Sequence, residues 1–135
     1  MNAKDKGPNP YVENIETITL ENDNFRTTKW TGKHLQMTLM SLKPGEEVGL
    51  EVHNDHDQFL RIEQGKARVE MGDTKEKLDF IEEAENDFAI FIPAGKWHNV
   101  VSIGEDHLKM YSIYAPPEHP KNTIHKSYFD DPEHG

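Results

Sequence analysis

Turn signals punctuate this chain about every ten residues, and the segments between them are too short for stable helices but long enough for strands. Lys43-Pro44-Gly45-Glu46, Gln64-Gly65-Lys66, Gly72-Asp73, Pro93-Ala94-Gly95 and Gly104-Glu105-Asp106 each place glycine or proline where a tight turn needs them. Between them the residues alternate apolar and polar, the period of a half-buried strand. On this pattern strands are expected over residues 15–20, 25–30, 35–42, 48–53, 58–63, 67–71, 78–81, 88–92, 98–103 and 108–114. Residues 82–87 read as an acidic loop, and no segment keeps a helical period over two turns. Regular short strands joined by glycine turns indicate an all-β sandwich or barrel.

The expected organisation is an N-terminal arm over 1–14, flexible or draped on a neighbour, a barrel over 15–117 and an irregular tail over 118–135. Gly7, Pro8 and Pro10 mark the arm, and Pro116, Pro117 and Pro120 oppose regular pairing at the start of the tail. A chain of 135 residues is a normal size for one domain.

Composition excludes several functions. The formal charge of −10 repels nucleic-acid phosphates and anionic lipids, so neither nucleic acid nor membrane is an expected partner. With no cysteine there are no disulfides, thiolate metal sites or cysteine nucleophiles. That absence and the polar start of the chain fit a cytoplasmic location. No apolar run approaches the roughly 20 residues of a membrane span. A glycine-rich phosphate loop, a G-x-S-x-G elbow and an H-E-x-x-H helix are also absent.

The chemistry sits in two places. Glu51 and His53 are two apart on an expected strand and so project to one face. Gln58 opens the return strand of that hairpin, sharing a face with Leu60 and Ile62. His98 follows the Pro93-Ala94-Gly95 turn and can enter the same cavity from the opposite sheet. A buried carboxylate among imidazoles is costly unless paired or bound to a metal. Glu51, His53, Gln58 and His98 are therefore the candidate ligands of one divalent ion. The alternative is a metal-free barrel, with Glu51 exposed and Gln58 a hairpin hydrogen-bonder. Asp57 is the rival to Gln58, although it and His56 read as solvated loop residues. Tyr111 or Tyr114 can reach a bound ligand if it faces inward. Phe91 and Trp97 read as packing residues, and His119 and His125 as surface histidines.

These residues resemble the two motifs of the cupin superfamily, particularly its small single-domain members akin to the metal-binding domain of mannose-6-phosphate isomerases. The first motif runs from Gly45 to Gly65, with Glu51 and His53 at its two histidine positions and Gln58 at its glutamate. Pro93, Gly95 and His98 match the second motif, while Asp87 and Ser102 replace its first glycine and its asparagine. The resemblance covers roughly residues 25 to 115. It implies a double-stranded β-helix, a jelly-roll barrel, as a single cupin domain. It also implies isomerase, dioxygenase or lyase chemistry on a carbohydrate or organic acid, or else a non-catalytic barrel that binds or senses a small ligand.

Against the usual three histidines and one glutamate, this chain offers two nitrogens and two oxygens, one of them a carboxylate. The added oxygen favours Mn²⁺ or Fe²⁺, with Zn²⁺ next and copper disfavoured. Four protein donors leave an octahedral ion two positions for water or substrate. No general base is identifiable in the sequence. A homodimer is the expected assembly, with one sheet extended across a two-fold axis.

Overall fold

The computed structural model describes residues 5–130. They form an all-β jelly roll of two facing sheets, as the resemblance implies. In chain order the elements are α1 (Ile15–Glu21), β1 (Arg26–Thr31), β2 (Gln36–Leu42), β3 (Asp57–Gln64), β4 (Ala67–Gly72), β5 (Phe80–Ala84), β6 (Ala89–Ile92), β7 (Trp97–Ser102), β8 (Leu108–Ala115) and β9 (Ile124–His125). One sheet has six strands in the order β6-β3-β8-β2-β1-β9 and the other has three, β5-β4-β7. All the strand pairs are antiparallel.

The core lies between the sheets. On β3 the buried residues Gln58, Leu60 and Ile62 alternate with partly exposed ones, as period two requires. β8 does the same with Met110, Ser112 and Tyr114. These two strands pair directly, Gln58 opposite Tyr114 and Leu60 opposite Ser112. The polar side chains Gln58 and Ser112 thus enter the interior as neighbours.

Residues 15–20 are helical, not extended. Asn14 caps α1 by accepting a hydrogen bond from the Thr17 backbone N–H at 3.0 Å, and Glu16 complements the positive end of the helix dipole. The helix buries Ile18 and Thr19, which an alternating strand would place on opposite faces. Its C-terminal end is tied down by buried Lys109, whose ammonium donates to Leu20 O at 2.6 Å and to Asp23 Oδ1 at 2.9 Å.

Residues 48–53 do not form a continuous strand. The segment runs beside β7 through bridges of Glu47 with Val101 and Glu51 with His98. Between them Gly49 has φ +108°, and its N–H donates to the buried side chain of Asn99 at 3.0 Å. The acidic stretch is not simply a loop either, because Glu82, Glu83 and Ala84 complete β5.

Both ends of the described chain meet β1. Asp5 accepts from Gly7 N at 2.9 Å and from Thr31 N at 3.0 Å, and Lys6 N donates to Lys29 O at 2.9 Å. Ile124 and His125 pair with Thr27 and Arg26. No helix among the described residues is long and apolar enough to cross a membrane.

Gly65, in the β3–β4 turn, has φ +99°, and a Cβ there would lie 2.8 Å from His107 O and 2.9 Å from Leu108 Cα. Gly65→Ala is expected to destabilise the fold by roughly 1–3 kcal/mol, through the left-handed conformation and the contact with backbone. Urea denaturation monitored by tryptophan fluorescence measures this; an unchanged midpoint would contradict the turn geometry.

Candidate metal centre

His98 owes its position to backbone geometry. The turn Pro93-Ala94-Gly95 reverses the chain, with Gly95 in the left-handed region at φ +86°. The Gly95 N–H donates to His53 O at 2.8 Å, which fastens the turn to the segment carrying Glu51 and His53. Glu51 and His98 then exchange two backbone hydrogen bonds, at 3.0 and 2.9 Å, so their side chains start from directly opposed positions. On its other side His98 pairs with Met71 of β4 and is buried.

Ligand atoms of Glu51, His53 and His98 all lie within 4.8 Å of one another. Glu51 Oε1 is 3.0 Å from His53 Nε2 and 3.5 Å from His98 Nε2, and the two imidazole centroids are 5.4 Å apart. The His98 Nδ1–H donates to Lys96 O at 3.0 Å, which leaves the Nε2 lone pair for the cluster. This Nε2 is buried without a hydrogen-bond partner, and so is Gln58 Oε1. The amide nitrogen of Gln58 is already engaged, donating to Ser112 Oγ at 2.8 Å. Orphan acceptors in an interior are costly; a cation among Glu51, His53 and His98 satisfies His98 Nε2, and Gln58 is the fourth ligand that the sequence analysis expects. The donor set of two imidazoles, a carboxylate and an amide oxygen fits a divalent first-row ion.

Burial by itself would raise the Glu51 pKa, but in the metal-free protein the hydrogen bond from His53 and the positive charge that His53 and His98 carry when protonated outweigh it and hold the group down at about 2. Tyr114 is fully buried between the histidines, edge-on to His53 at 6.0 Å and to His56 at 6.2 Å. Burial pushes its hydroxyl well above the ordinary phenol range. Tyr114 is thus the inward tyrosine of β8, while Tyr111 lies beside Phe59 on the other face, 6.1 Å between ring centroids.

Two residues read differently from the sequence. His56 is not a solvated loop residue; it is buried and stacked on His53 at 4.8 Å and 23°. Its Nδ1 lies 2.7 Å from Asp55 Oδ1 and its Nε2 lies 2.7 Å from Glu118 Oε1. Glu118, which no sequence pattern singles out, makes a second cluster with His53 and His56. Asp57 is exposed and accepts from Ala94 N at 2.9 Å, outside both clusters. His119 is partly buried against Tyr114, with 5.3 Å between ring centroids. Phe91 is 70% exposed, so it is not a core residue, although its ring meets Phe59 at 5.1 Å. Arg61 is paired with Glu63 and Asp87, and Lys96 with Asp73.

The family model described as Cupin domain matches residues 38–114, which includes all four candidate ligands. YrkC, an uncharacterized protein of Bacillus subtilis (strain 168), is 55% identical over 94% of this chain and 68% of its own length. L612, an uncharacterized protein of Acanthamoeba polyphaga mimivirus, is 42% identical over 84% of this chain and 70% of its own. The crystal structure of BH2720 from Bacillus halodurans superposes with a TM-score of 0.93 at 53% identity, covering 94% of this chain and 96% of that one.

The low pKa of Glu51 has a consequence for metal-free protein. Its carboxylate stabilises the fold fully above its ordinary value of 4.5, and the contribution is lost as pH falls from there through about 2. The full effect is roughly 3 kcal/mol, of which roughly 2 is lost by pH 3. Urea titrations of chelator-treated protein at pH 6, 4.5 and 3 should therefore show Glu51→Gln losing less stability across this range than the parent. Parallel losses in both proteins would contradict the assignment.

Proposed function

This chain belongs to the cupin family, and from that premise we propose that it is a small-molecule metalloenzyme that holds one divalent ion through Glu51, His53, Gln58 and His98. The observation that carries the reading is the pair of orphan acceptors, His98 Nε2 and Gln58 Oε1, buried in the same interior as an ionised carboxylate. Of the candidate metals, Mn²⁺ and Fe²⁺ suit this mixed nitrogen and oxygen set best, and Zn²⁺ remains compatible.

A divalent ion bound here supplies Lewis acidity toward a carbonyl or carboxylate oxygen of a small carbohydrate or organic acid. The protein supplies the surroundings. Glu51 stays ionised across the physiological range, because its pKa is held near 2. Tyr114, with its raised pKa, stays a neutral hydroxyl, and His119 Nε2 lies 3.4 Å from it. The buried ring of His56, stacked on His53, walls one side of the cluster. Isomerase, lyase and dioxygenase reactions all suit such a site. A non-catalytic cupin that senses a small ligand uses the same donors for binding alone.

The first test is elemental analysis of protein purified without chelator. One equivalent of manganese, iron or zinc per chain is expected, falling below a tenth of that in His53→Ala and in His98→Ala. Parent protein that neither carries nor takes up these metals would overturn the reading. A panel of sugars and organic acids, assayed in air and anaerobically, then separates oxygenase from isomerase or lyase. Loaded protein that turns over none of them favours the sensing role.

A further inference from the structure

The two histidines of the cluster are held in place by different means. His98 has its Nδ1–H fixed on a backbone carbonyl, Lys96 O, at 3.0 Å. His53 presents Nε2 to the cluster, 3.0 Å from Glu51, so its Nδ1 faces away. The group nearest that nitrogen among the described ion pairs is the Glu118 carboxylate, with Oε1 at 3.6 Å from Nδ1. A carboxylate behind a ligating imidazole fixes its tautomer and raises its basicity.

Glu118 is not a loose surface acid. Its side chain is only 15% exposed, and its backbone is held by Gln36, a fully buried side chain on β2. Gln36 Oε1 accepts from Glu118 N at 3.1 Å and from His119 N at 2.9 Å. The Gln36 amide nitrogen donates to His119 O at 2.7 Å and to Thr31 Oγ1 at 2.9 Å. A buried amide so engaged fixes the course of the chain after β8. His56 then meets the same Oε1 at 2.7 Å from its stacked position on His53. Backbone and side chain of Glu118 are thus both located by buried groups.

Resting on the metal-centre reading above, we propose that Glu118 is the positioning residue of His53: with the ion bound, its carboxylate closes from 3.6 Å to accept the His53 Nδ1–H and aims Nε2 at the ion, the role that Lys96 O already has for His98. The segment after β8 is in this way part of the metal centre, although it supplies no ligand. Metal affinity depends on Glu118 because an imidazole without its acceptor loses both its preferred tautomer and its orientation.

The test uses full-length protein and Zn²⁺, a diamagnetic probe, in competition with a chromophoric chelator. Parent protein is expected to bind one equivalent, and Glu118→Ala is expected to bind roughly 10- to 100-fold more weakly. A nitrogen-edited proton spectrum of the zinc-loaded parent should show a slowly exchanging His53 Nδ1–H, assigned by through-bond correlations within its histidine ring. That signal should vanish in zinc-saturated Glu118→Ala while the His98 Nδ1–H persists. A merely structural role for Glu118 would not remove one imidazole proton selectively. Equal affinities, or a retained His53 signal in Glu118→Ala, would overturn the inference and leave the metal centre standing. Parent protein that binds no Zn²⁺, Mn²⁺ or Fe²⁺ would overturn both.

Discussion

Two backbone hydrogen bonds, between Glu51 and His98, hold the centre of this molecule together. They join residues 47 positions apart across a point where the ladder is otherwise broken, and they oblige a carboxylate and an imidazole to leave the backbone side by side. The Gly95 N–H bond to His53 O adds the second imidazole to the same fastening. Placing three such groups together in an interior is unfavourable by desolvation alone. Backbone pairing, which is indifferent to what the side chains carry, supplies the constraint that the side chains by themselves would resist. The fold thus brings the groups together, and once there the histidines more than offset the desolvation of Glu51.

That origin explains which parts were readable from the residues. The β3 face of Gln58, Leu60 and Ile62 followed from period two, and burial agrees at all three. His98 beside the turn of residues 93–95 was readable because proline and glycine leave the chain few other courses. Residues 15–20 misled because Ile-Glu-Thr-Ile-Thr-Leu satisfies two periods. Ile15 and Ile18 are three apart while Ile18 and Leu20 are two apart, and the deciding feature was the capping side chain of Asn14 outside the pattern. Residues 48–53 misled because the break comes from Asn99, fifty residues away, whose amide bonds Gly49 N in place of a strand partner.

His56 and Glu118 were not readable for another reason. One stands in a hairpin loop and the other beyond the last long strand, and neither place has a repeat that reveals which way a side chain points. Their meeting is set by Gln36, a residue on a third element whose amide spends its capacity on backbone groups of Glu118 and His119. A polar residue at an inward position of a strand is the one trace this leaves in the sequence. Gln36 is the second residue of the expected strand over 35–42 and the first of β2, on a face shared with the buried Thr38 and Met40. A glutamine in that register signals that something other than water must reach it.

Charge accounts for why these groups belong together. On the proposed ligand set, a divalent ion with Glu51 as its charged donor leaves a net charge of plus one, since amide and imidazole donors are neutral. Buried net charge is costly, and neither Gln58 nor the histidines can cancel it. Glu118, reaching the cluster through His53, brings the sum to zero without occupying a coordination position. The usual cupin set also carries a single carboxylate, so its replacement at the motif position by Gln58 does not change the balance once Glu51 is counted. What this chain adds is a second acid, Glu118, placed behind the imidazole of His53 and outside the proposed ligand set.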